Sequence, residues 1–247
     1  MPKLYVVGLG SGAGADLTQR ARAALEESQV IAGYTTYVDL VRKDFPEKEL
    51  LVSGMRGEVQ RCRAALERAA SGATVALVCS GDPGVYGMAG LVLELAQDMV
   101  LADVVEVEVV AGVTAATGGA ALLGAPLMHD FCLVSLSDLL TPWDAIEARL
   151  RAAARAGFVI CLYNPCSHGR PDHLAHAAQI LLEELPASCV CGIAHNVGRP
   201  GEGARVLTLG ELADAPADMT SIVYVGNATT REIAGRMVTP RGYQVRS

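Results

Sequence analysis

Short apolar runs alternate with amphipathic stretches through the first half of the chain. Runs rich in β-branched residues predict strands at 4–7, 29–32, 49–52, 74–78 and 105–110. Between them, apolar residues recur at helical spacing in 18–28, 37–43, 58–70 and 88–100. Alternation of this kind is typical of βαβ units, so the pattern predicts an α/β domain with a mostly parallel sheet.

The second half has a different order of predicted strands and helices. Its apolar runs predict strands at 131–136, 158–162, 189–195, 204–209 and 221–225, with helices at 143–156 and 172–185. Only the short segment 210–218 separates the last two strands, which favours a mixed sheet. We therefore expect two α/β domains, 1–114 and 115–247, with flanking helices and a ligand cleft between them.

Composition narrows the class of protein. The 247 residues carry a net charge of −7, which argues against broad binding to nucleic acid or anionic membranes. Seven scattered cysteines form no disulfide framework in a chain of this size, so we expect a reducing, cytoplasmic compartment. The uncharged segment 109–128 has the length of a membrane span, but its glycines, threonines and proline indicate a buried helix with a flanking strand.

The first predicted strand runs directly into a glycine-rich loop at 7–14. Gly8, Gly10 and Ala13 have the spacing of a dinucleotide fingerprint, which also expects an acidic residue at the end of the second strand. The first acid after that strand is Asp39, which comes too late. This late position counts against a nicotinamide or flavin site without excluding it. The other two interpretations are a plain tight turn and a loop that lines another active site.

Two more loops follow predicted strands in the same half. Ser80, Asp82 and Tyr86 lie within a Ser-Gly-Asp-Pro-Gly-Val-Tyr-Gly sequence, a combination that favours a functional loop over a simple turn. The segment 111–116 follows the next strand and opens a helix of small residues, where free amides can meet a polar ligand. Because the three loops end parallel strands, we expect them to form a pocket at one edge of the sheet.

These three loops resemble the signatures of the tetrapyrrole methylase superfamily. The segments Ser-Leu-Ser-Asp-Leu-Leu-Thr-Pro-Trp at 135–143, Leu-Tyr-Asn-Pro at 162–165 and Val-Gly-Asn-Ala-Thr-Thr-Arg at 225–231 resemble one branch, the precorrin-3B C17-methyltransferases of cobalamin biosynthesis. The resemblance covers nearly the whole chain. One departure is Ser11, which stands where the superfamily usually has proline.

The resemblance implies a homodimeric enzyme that uses S-adenosylmethionine to methylate C17 of precorrin-3B, or of its cobalt-containing equivalent, with contraction of the ring. The cofactor contacts that it implies are Ser80, Gly81, Asp82, Val85, Thr114, Ala115, Tyr163, Asn164, Ala194, Asn196 and Val197. It places the first glycine loop, with Gly10, Ser11 and Gly12, against the tetrapyrrole.

The chemistry of such a reaction suggests further candidates. A substrate with many carboxylates needs basic side chains to bind it. Each basic residue of the chain is therefore either a substrate-binding candidate or a solvated surface residue. The candidates are Arg42, Lys43, Arg56, Arg61, Arg63, Arg199 and Arg231, of which Arg42 and Arg56 are our first choices. Ring contraction would benefit from an acid near the C20 oxygen. The unranked candidates are Tyr34, Asp39, Tyr86, His129 and His195.

Other interpretations are weaker. Within the superfamily, the alternatives are another precorrin methyltransferase, a diphthine synthase or a ribosomal RNA methylase, and outside it a non-catalytic nucleotide-binding module. His173 and His176 have the spacing to share a metal, but no third ligand pattern accompanies them or His168, so we expect a solvated helix start and no metal. Cys189 and Cys191 are explained equally well by a buried strand.

Overall fold

The computed structural model of the chain describes residues 1–244. The fold divides into two compact units, one comprising Met1–Thr114 and the other beginning at Ala115.

Strands and helices alternate in the N-terminal unit. In chain order they are β1 (Lys3–Gly8), α1 (Gln19–Glu27), β2 (Val30–Tyr34), α2 (Thr35–Asp39), β3 (Glu49–Ser53), α3 (Glu58–Ala70), β4 (Val75–Cys79), α4 (Ala89–Asp98) and β5 (Glu106–Val110). The strand order is β3-β2-β4-β1-β5, and every neighbouring pair is parallel. The predicted parallel α/β sheet is confirmed.

Helices cover both faces of this sheet. Leu4 and Val6 of β1 pack with α3 and α4, whereas Tyr5 and Val7 of the same strand pack with α1 and α2. Successive side chains of a strand point to opposite faces, so a strand that is buried on both sides needs a continuous apolar run. This is why β1 reads Leu-Tyr-Val-Val instead of alternating with polar residues.

The chain leaves the neighbouring strands β1 and β4 in opposite directions. After β1 it passes through α1 to β2, beyond β4, and after β4 it passes through α4 to β5, on the other side of β1. Right-handed crossovers place α1 and α4 on opposite faces of the sheet. The loops that follow β1 and β4 therefore lead to helices on opposite faces, and open α/β sheets commonly bind their ligands at such a point.

The C-terminal unit has a mixed sheet. Its elements are α5 (Ala115–Leu123), β6 (Gly124–Ala125), β7 (Phe131–Ser135), α6 (Trp143–Arg155), β8 (Val159–Tyr163), α7 (His173–Leu182), β9 (Val190–His195), β10 (Gly203–Thr208), α8 (Leu209–Leu212), β11 (Ser221–Val225), β12 (Arg231–Ile233) and β13 (Arg236–Val238). The order is β10-β9-β11-β8-β7, in which β7 and β8 are parallel and the other pairs antiparallel. The predicted mixed sheet is confirmed, and β12, β13 and β6 form a second, small sheet.

Helix α5 packs closely against one face of the larger sheet, while α6, α7 and α8 pack against the other. The small residues of α5 permit this approach: a Cβ atom on Gly119 would lie 2.6 Å from the hydroxyl oxygen of Tyr224. The buried hydroxyl of Tyr224 donates to the carbonyl of Ala116 at 2.8 Å. The uncharged segment thus contains a buried helix, and within residues 1–244 we find no helix with the length and hydropathy of a membrane span.

Two local predictions differ from the structure. The helix expected at 37–43 is α2 at Thr35–Asp39, and the chain then continues in hydrogen-bonded turns, such as Arg42 N to Val38 O at 2.9 Å, which preserve helical spacing of apolar residues. Strands β6, β12 and β13 were not predicted, because two or three residues are too few to display an alternating pattern.

Candidate functional site

The loops after β1 and β4 are joined through their backbones. The amide of Gly10 donates to the carbonyl of Gly81 at 3.1 Å, and the amide of Gly81 donates back to Gly10 at 2.7 Å. Leu9 N also donates to Cys79 O at 2.8 Å. Both glycines have a φ of +65°, a conformation that other residues rarely adopt. The two loops therefore form one junction at the carboxyl edge of the sheet.

The loop after β5 closes onto the same junction. A Cβ atom on Gly112 would lie 2.2 Å from the carbonyl oxygen of Gly81, and one on Gly8 would lie 2.6 Å from the amide nitrogen of Gly112. Neither distance is possible between real atoms, so these positions require glycine. The three loops therefore meet at one edge of the sheet, and the pocket expected there stays a prediction.

Asp82 connects two of the loops through its carboxylate. One oxygen, Oδ1, accepts from Gly84 N at 2.8 Å, and the other, Oδ2, accepts from Gly112 N at 3.1 Å. Hydrogen bonds from backbone amides to a carboxylate are strong because the acceptor is charged. Asp82 thus fixes the turn that it begins and holds the β5 loop beside it.

The junction accounts for the glycine loop without a dinucleotide. A dinucleotide turn leaves its amides free to bind pyrophosphate, whereas here the amides of Leu9 and Gly10 already donate to the β4 segment. The side chain of Ser11 donates to Asp16 and accepts from Ala13 N, which shapes the remainder of the loop. These contacts argue against a dinucleotide turn, and a role of the loop in lining another active site stays a prediction beside the plain tight turn.

The other predicted residues of the N-terminal unit lie on these loops. Ser80, Val85 and Thr114 are half-buried, and Tyr86 is 54% exposed. Tyr86 has a φ of +52°, which is strained for a bulky residue. Strain of this kind concentrates at functional sites, where the surrounding structure enforces it.

The predicted acids and bases of this unit differ in their surroundings. Asp39 forms an exposed ion pair with Arg42, at 2.9 Å between Oδ1 and Nε. Arg56 is exposed and has a φ of +62°. Tyr34 is half-buried and packs edge-on against Tyr37, with ring centroids 5.3 Å apart. The candidate Arg61 is buried, in contrast to the exposed Arg42 and Arg56.

In the C-terminal unit, Tyr163 and Asn164 follow β8. The hydroxyl of Tyr163 accepts from the amide of Ala116 at 2.9 Å, near the start of α5. Asn164 has a φ of +53°, and its Nδ2 donates to Ser135 Oγ at 2.9 Å. The two predicted residues therefore order the ends of α5 and β7 through direct hydrogen bonds.

A cavity of about 410 Å³ lies beyond Asn164, between segments 166–168 and 217–220. Cys166 donates to Ala217 O at 2.8 Å, and burial raises the pKa of its thiol. Asp218 accepts from Thr220 and from Ser221 Oγ. Partial burial opposes ionisation of Asp218, but these hydrogen bonds outweigh it and keep its pKa below the usual value. The sequence assigned no binding role to the residues that line this cavity, among which only His168 had been considered, as a metal ligand.

The predicted segment 194–197 approaches this cavity through its backbone. Asn196 N donates to Thr220 O at 3.2 Å, and Asn196 has a φ of +49°. Ala194 is buried and Val197 is half-buried, whereas His195 is exposed. His129, the remaining acid candidate, is exposed on the loop before β7, and its Nδ1 accepts from Asp130 N at 2.9 Å.

Asp138 lies at the centre of a polar cluster after β7. Its carboxylate is 3.7 Å from Arg170 Nη1 and 3.3 Å from His173 Nε2. Desolvation opposes ionisation, but the contacts with His173 and Arg170 outweigh it and lower the pKa of Asp138. Trp143 packs edge-on against His173 and stacks on His176 at 4.6 Å.

This cluster changes the interpretation of the histidines. The side chain of His173 is only 19% exposed, so the expectation of a solvated helix start is wrong for this residue, because the indole of Trp143 covers it. Within residues 1–244, no three His, Cys, Asp or Glu side chains are grouped so that they could hold a metal ion. Cys189 and Cys191 are buried, as a core strand requires.

The Asn-Ala-Thr-Thr-Arg segment forms a tight turn. Asn227 Oδ1 accepts from Thr229 N at 3.0 Å, and Asn227 Nδ2 donates to Gly157 O at 2.9 Å. Thr230 Oγ1 is 2.9 Å from Thr239 Oγ1. The motif thus ties the end of β11 to two neighbouring segments, and its contacts are explained by folding alone.

Residues 3–213 match the family of Tetrapyrrole (Corrin/Porphyrin) Methylases, and the chain belongs to that family. It is 50% identical over 240 residues to the probable cobalt-factor III C(17)-methyltransferase of Salmonella typhimurium, a match that covers 97% of this chain and 99% of the relative. It is 44% identical over 247 residues to the precorrin-3B C(17)-methyltransferase of Sinorhizobium sp, covering 97% and 96%. The solved structure of the methyltransferase CobJ is 38% identical, covers 97% of this chain and 100% of its own, and superposes with a TM-score of 0.91. The resemblance to this family and branch is confirmed.

Proposed function

We propose that the protein is an S-adenosylmethionine-dependent methyltransferase that methylates C17 of a precorrin-3B-type tetrapyrrole with contraction of the ring, a step of cobalamin biosynthesis. The observation that carries the proposal is the match with C(17)-methyltransferases along the full length of both chains, at 50% and 44% identity. The two relatives differ in substrate, since one is named for cobalt-factor III and the other for precorrin-3B. Both the cobalt-containing and the metal-free substrate belong in the test.

The loop junction of the N-terminal unit fits a methyl donor of this kind. Glycines at positions 8, 81 and 112 bring backbone atoms into direct contact and keep side chains out of the junction, so that a ligand can approach the backbone closely. We propose that Ser80, Gly81 and Val85 contact the donor from the β4 loop. We propose the same for Thr114 and Ala115, with Asp82 acting mainly by holding the two loops together.

The C-terminal unit supports a second group of donor contacts. The 410 Å³ cavity lined by segments 166–168 and 217–220 lies within the size range of small-molecule pockets, and its first segment follows Tyr163 and Asn164 in the chain. We propose that an adenosyl group binds there, with Ala194, Asn196 and Val197 along its edge. The hydrogen bond between Asn196 and Thr220 supports this assignment, because it joins the predicted segment to the cavity wall.

Methyl transfer requires mainly alignment. The donor supplies an electrophilic methyl group on a sulfonium, and the protein has to hold the ring carbon in line with it. The first glycine loop, with Gly10, Ser11 and Gly12, is proposed to position the tetrapyrrole. No strong base is needed at C17, but a proton donor near the C20 oxygen would assist ring contraction. Among the candidates we favour Tyr34 and Tyr86, because Tyr34 ends β2 and Tyr86 lies in the loop after β4, at the sheet edge that carries the loops, while Asp39 is engaged by Arg42.

Incubation with S-adenosylmethionine carrying an isotopically labelled methyl group tests the proposal. We expect label in the product with precorrin-3B or with its cobalt-containing equivalent, and the comparison identifies the preferred substrate. Tight binding of S-adenosylhomocysteine without transfer to either substrate would instead support a non-catalytic nucleotide-binding module. We also propose a cytoplasmic homodimer, supported by the family resemblance and by seven cysteines without disulfides. Light scattering at a mass of one chain would contradict the dimer.

A further inference from the structure

Arg61 is the only charged side chain among residues 1–244 that is buried, with 5% of its surface exposed. It lies in the second turn of α3, and its guanidinium reaches the carboxyl edge of the N-terminal sheet. Burial of a cation is costly unless an anion accompanies it. The position of this charge therefore calls for an explanation.

Among residues 1–244, the hydrogen bonds and the ring contact of this guanidinium are all with neutral groups. Nε donates to Ser53 Oγ and Nη2 to the carbonyl of Gly54, both at 2.8 Å. Nη1 meets only the thioether sulfur of Met88 at 3.5 Å, and the ring of Tyr34 lies 5.8 Å from the guanidinium carbon. In the part of the chain that the structure describes, no carboxylate lies within 4.0 Å of the Arg61 guanidinium. Other basic side chains form twelve ion-pair contacts within that distance in the same residues.

The contacts of Arg61 leave hydrogen-bonding capacity unused. A guanidinium has five N–H donors in a planar fork, and three are engaged here, one of them with a weak sulfur acceptor. A carboxylate is the acceptor that matches the fork best. The Met88 side chain is flexible and its sulfur binds weakly, so an incoming carboxylate can replace it without the loss of a strong bond.

The neighbours of Arg61 place it beside the ligand edge of the sheet. Tyr34 ends β2, Ser53 ends β3, and Met88 lies in the connection between β4 and α4. These strands are adjacent, in the order β3-β2-β4. In an open α/β sheet the carboxyl ends of the strands form the ligand edge, and Met88 belongs to the same loop as Ser80 and Asp82.

We propose that Arg61 binds a carboxylate side chain of the tetrapyrrole and selects for it, supplying the buried cation with the anion that the chain does not provide. The inference rests on the proposed function, because it takes its ligand from it. The competing explanation is purely structural: Arg61 braces the β3–α3 loop through Ser53 and Gly54. The two explanations differ in what a substitution changes.

The test measures the binding of uroporphyrin, a polycarboxylate tetrapyrrole, and of S-adenosylhomocysteine to the full-length wild type, R61K and R61M. R22M is the matched control, since Arg22 is an exposed helical arginine of the same unit that forms no ion pair in the described residues. We expect uroporphyrin affinity to fall at least tenfold in R61M and by a smaller factor in R61K, with R22M unchanged. S-adenosylhomocysteine affinity should stay within twofold of the wild type in all three variants.

Equal uroporphyrin affinity in wild type and R61M would overturn the inference, as would absence of uroporphyrin binding to the wild type. A parallel loss of uroporphyrin affinity, S-adenosylhomocysteine affinity and melting temperature would support the structural explanation instead. If R61M does not fold, R61K decides, because it keeps the charge and loses the fork. Methyl transfer by the wild type is scored separately, so that the proposed function can stand while the role of Arg61 fails.

Discussion

Substitution of Asp82 by asparagine tests the loop junction most directly. Asp82 accepts two backbone amides, from Gly84 at 2.8 Å and from Gly112 at 3.1 Å. Asparagine keeps one oxygen acceptor and turns an NH2 group toward the other amide, so one bond is lost and two donors face each other. A hydrogen bond to a charged group contributes about 1.5–3 kcal/mol. We expect D82N to lower the free energy of unfolding by about 2 kcal/mol, and the melting temperature by about 4–8 °C in a chain of this size.

The same change should weaken binding of the methyl donor. The carboxylate holds the β4 and β5 loops beside each other, and both loops carry proposed donor contacts. We expect S-adenosylhomocysteine to bind at least tenfold more weakly to D82N, measured by isothermal titration calorimetry alongside thermal melting. D98N is the matched control, because Asp98 is an exposed aspartate of α4. If D82N kept wild-type melting and wild-type affinity, the carboxylate would not be holding the loops; reduced stability with full affinity would separate loop order from donor binding.

Three further substitutions or conditions have defined outcomes. In G112A the new Cβ would lie 2.2 Å from Gly81 O, so the loops must separate, and calorimetry should record at least a tenfold loss of S-adenosylhomocysteine affinity; wild-type affinity would contradict the tight junction. Y224F removes the donor to Ala116 O, and denaturant unfolding should register a loss of about 1–2 kcal/mol, whereas an unchanged free energy would count against that bond. Burial raises the pKa of Cys62 to about 12 and that of Cys79 to about 11, from 9.0. Because the folded thiols bind their protons more tightly than the unfolded ones, their contribution to stability is constant below about pH 9 and is lost as the pH rises toward 11–12. Iodoacetamide should leave both thiols unmodified in the folded protein at pH 8, and a rise in stability between pH 8 and 10.5 would refute the assignment.

Much of the fold followed from the sequence because its signals are local. The apolar runs of β1 and β4 and the amphipathic spacing of α3 depend on neighbouring residues, and α3 was predicted at the residues where it occurs, Glu58–Ala70. Short strands were missed for the same reason: β12 pairs with β13, β13 also pairs with β6, and little in their own sequence marks them. The local pattern thus identified the strands of the two five-stranded sheets and missed the small sheet of β12, β13 and β6.

The candidate site was predictable in outline and not in its internal roles. The motifs marked Asp82 as a cofactor contact, yet its two oxygens accept amides 2 and 30 residues further along the chain, the second of which no local pattern reveals. Tyr163 likewise accepts from Ala116, 47 positions away. A motif records that a residue type is required; only the folded chain separates a residue that meets the ligand from one that builds the loop.

The arginines also show what sequence alone does not reveal, because their affinity for a carboxylate depends on how far each side chain is desolvated. Each of Arg42, Arg56 and Arg61 is a cation that a carboxylate can bind, and the sequence led us to prefer Arg42 and Arg56. Burial separates them: a solvated arginine gains little from an anion because water already stabilises its charge, while a desolvated one has lost that stabilisation and gains more from a partner. Arg42 is exposed and already pairs with Asp39, whereas Arg61 is buried among neutral groups. A substrate carboxylate therefore has most to gain at Arg61, although counting charges along the sequence gave that residue no priority.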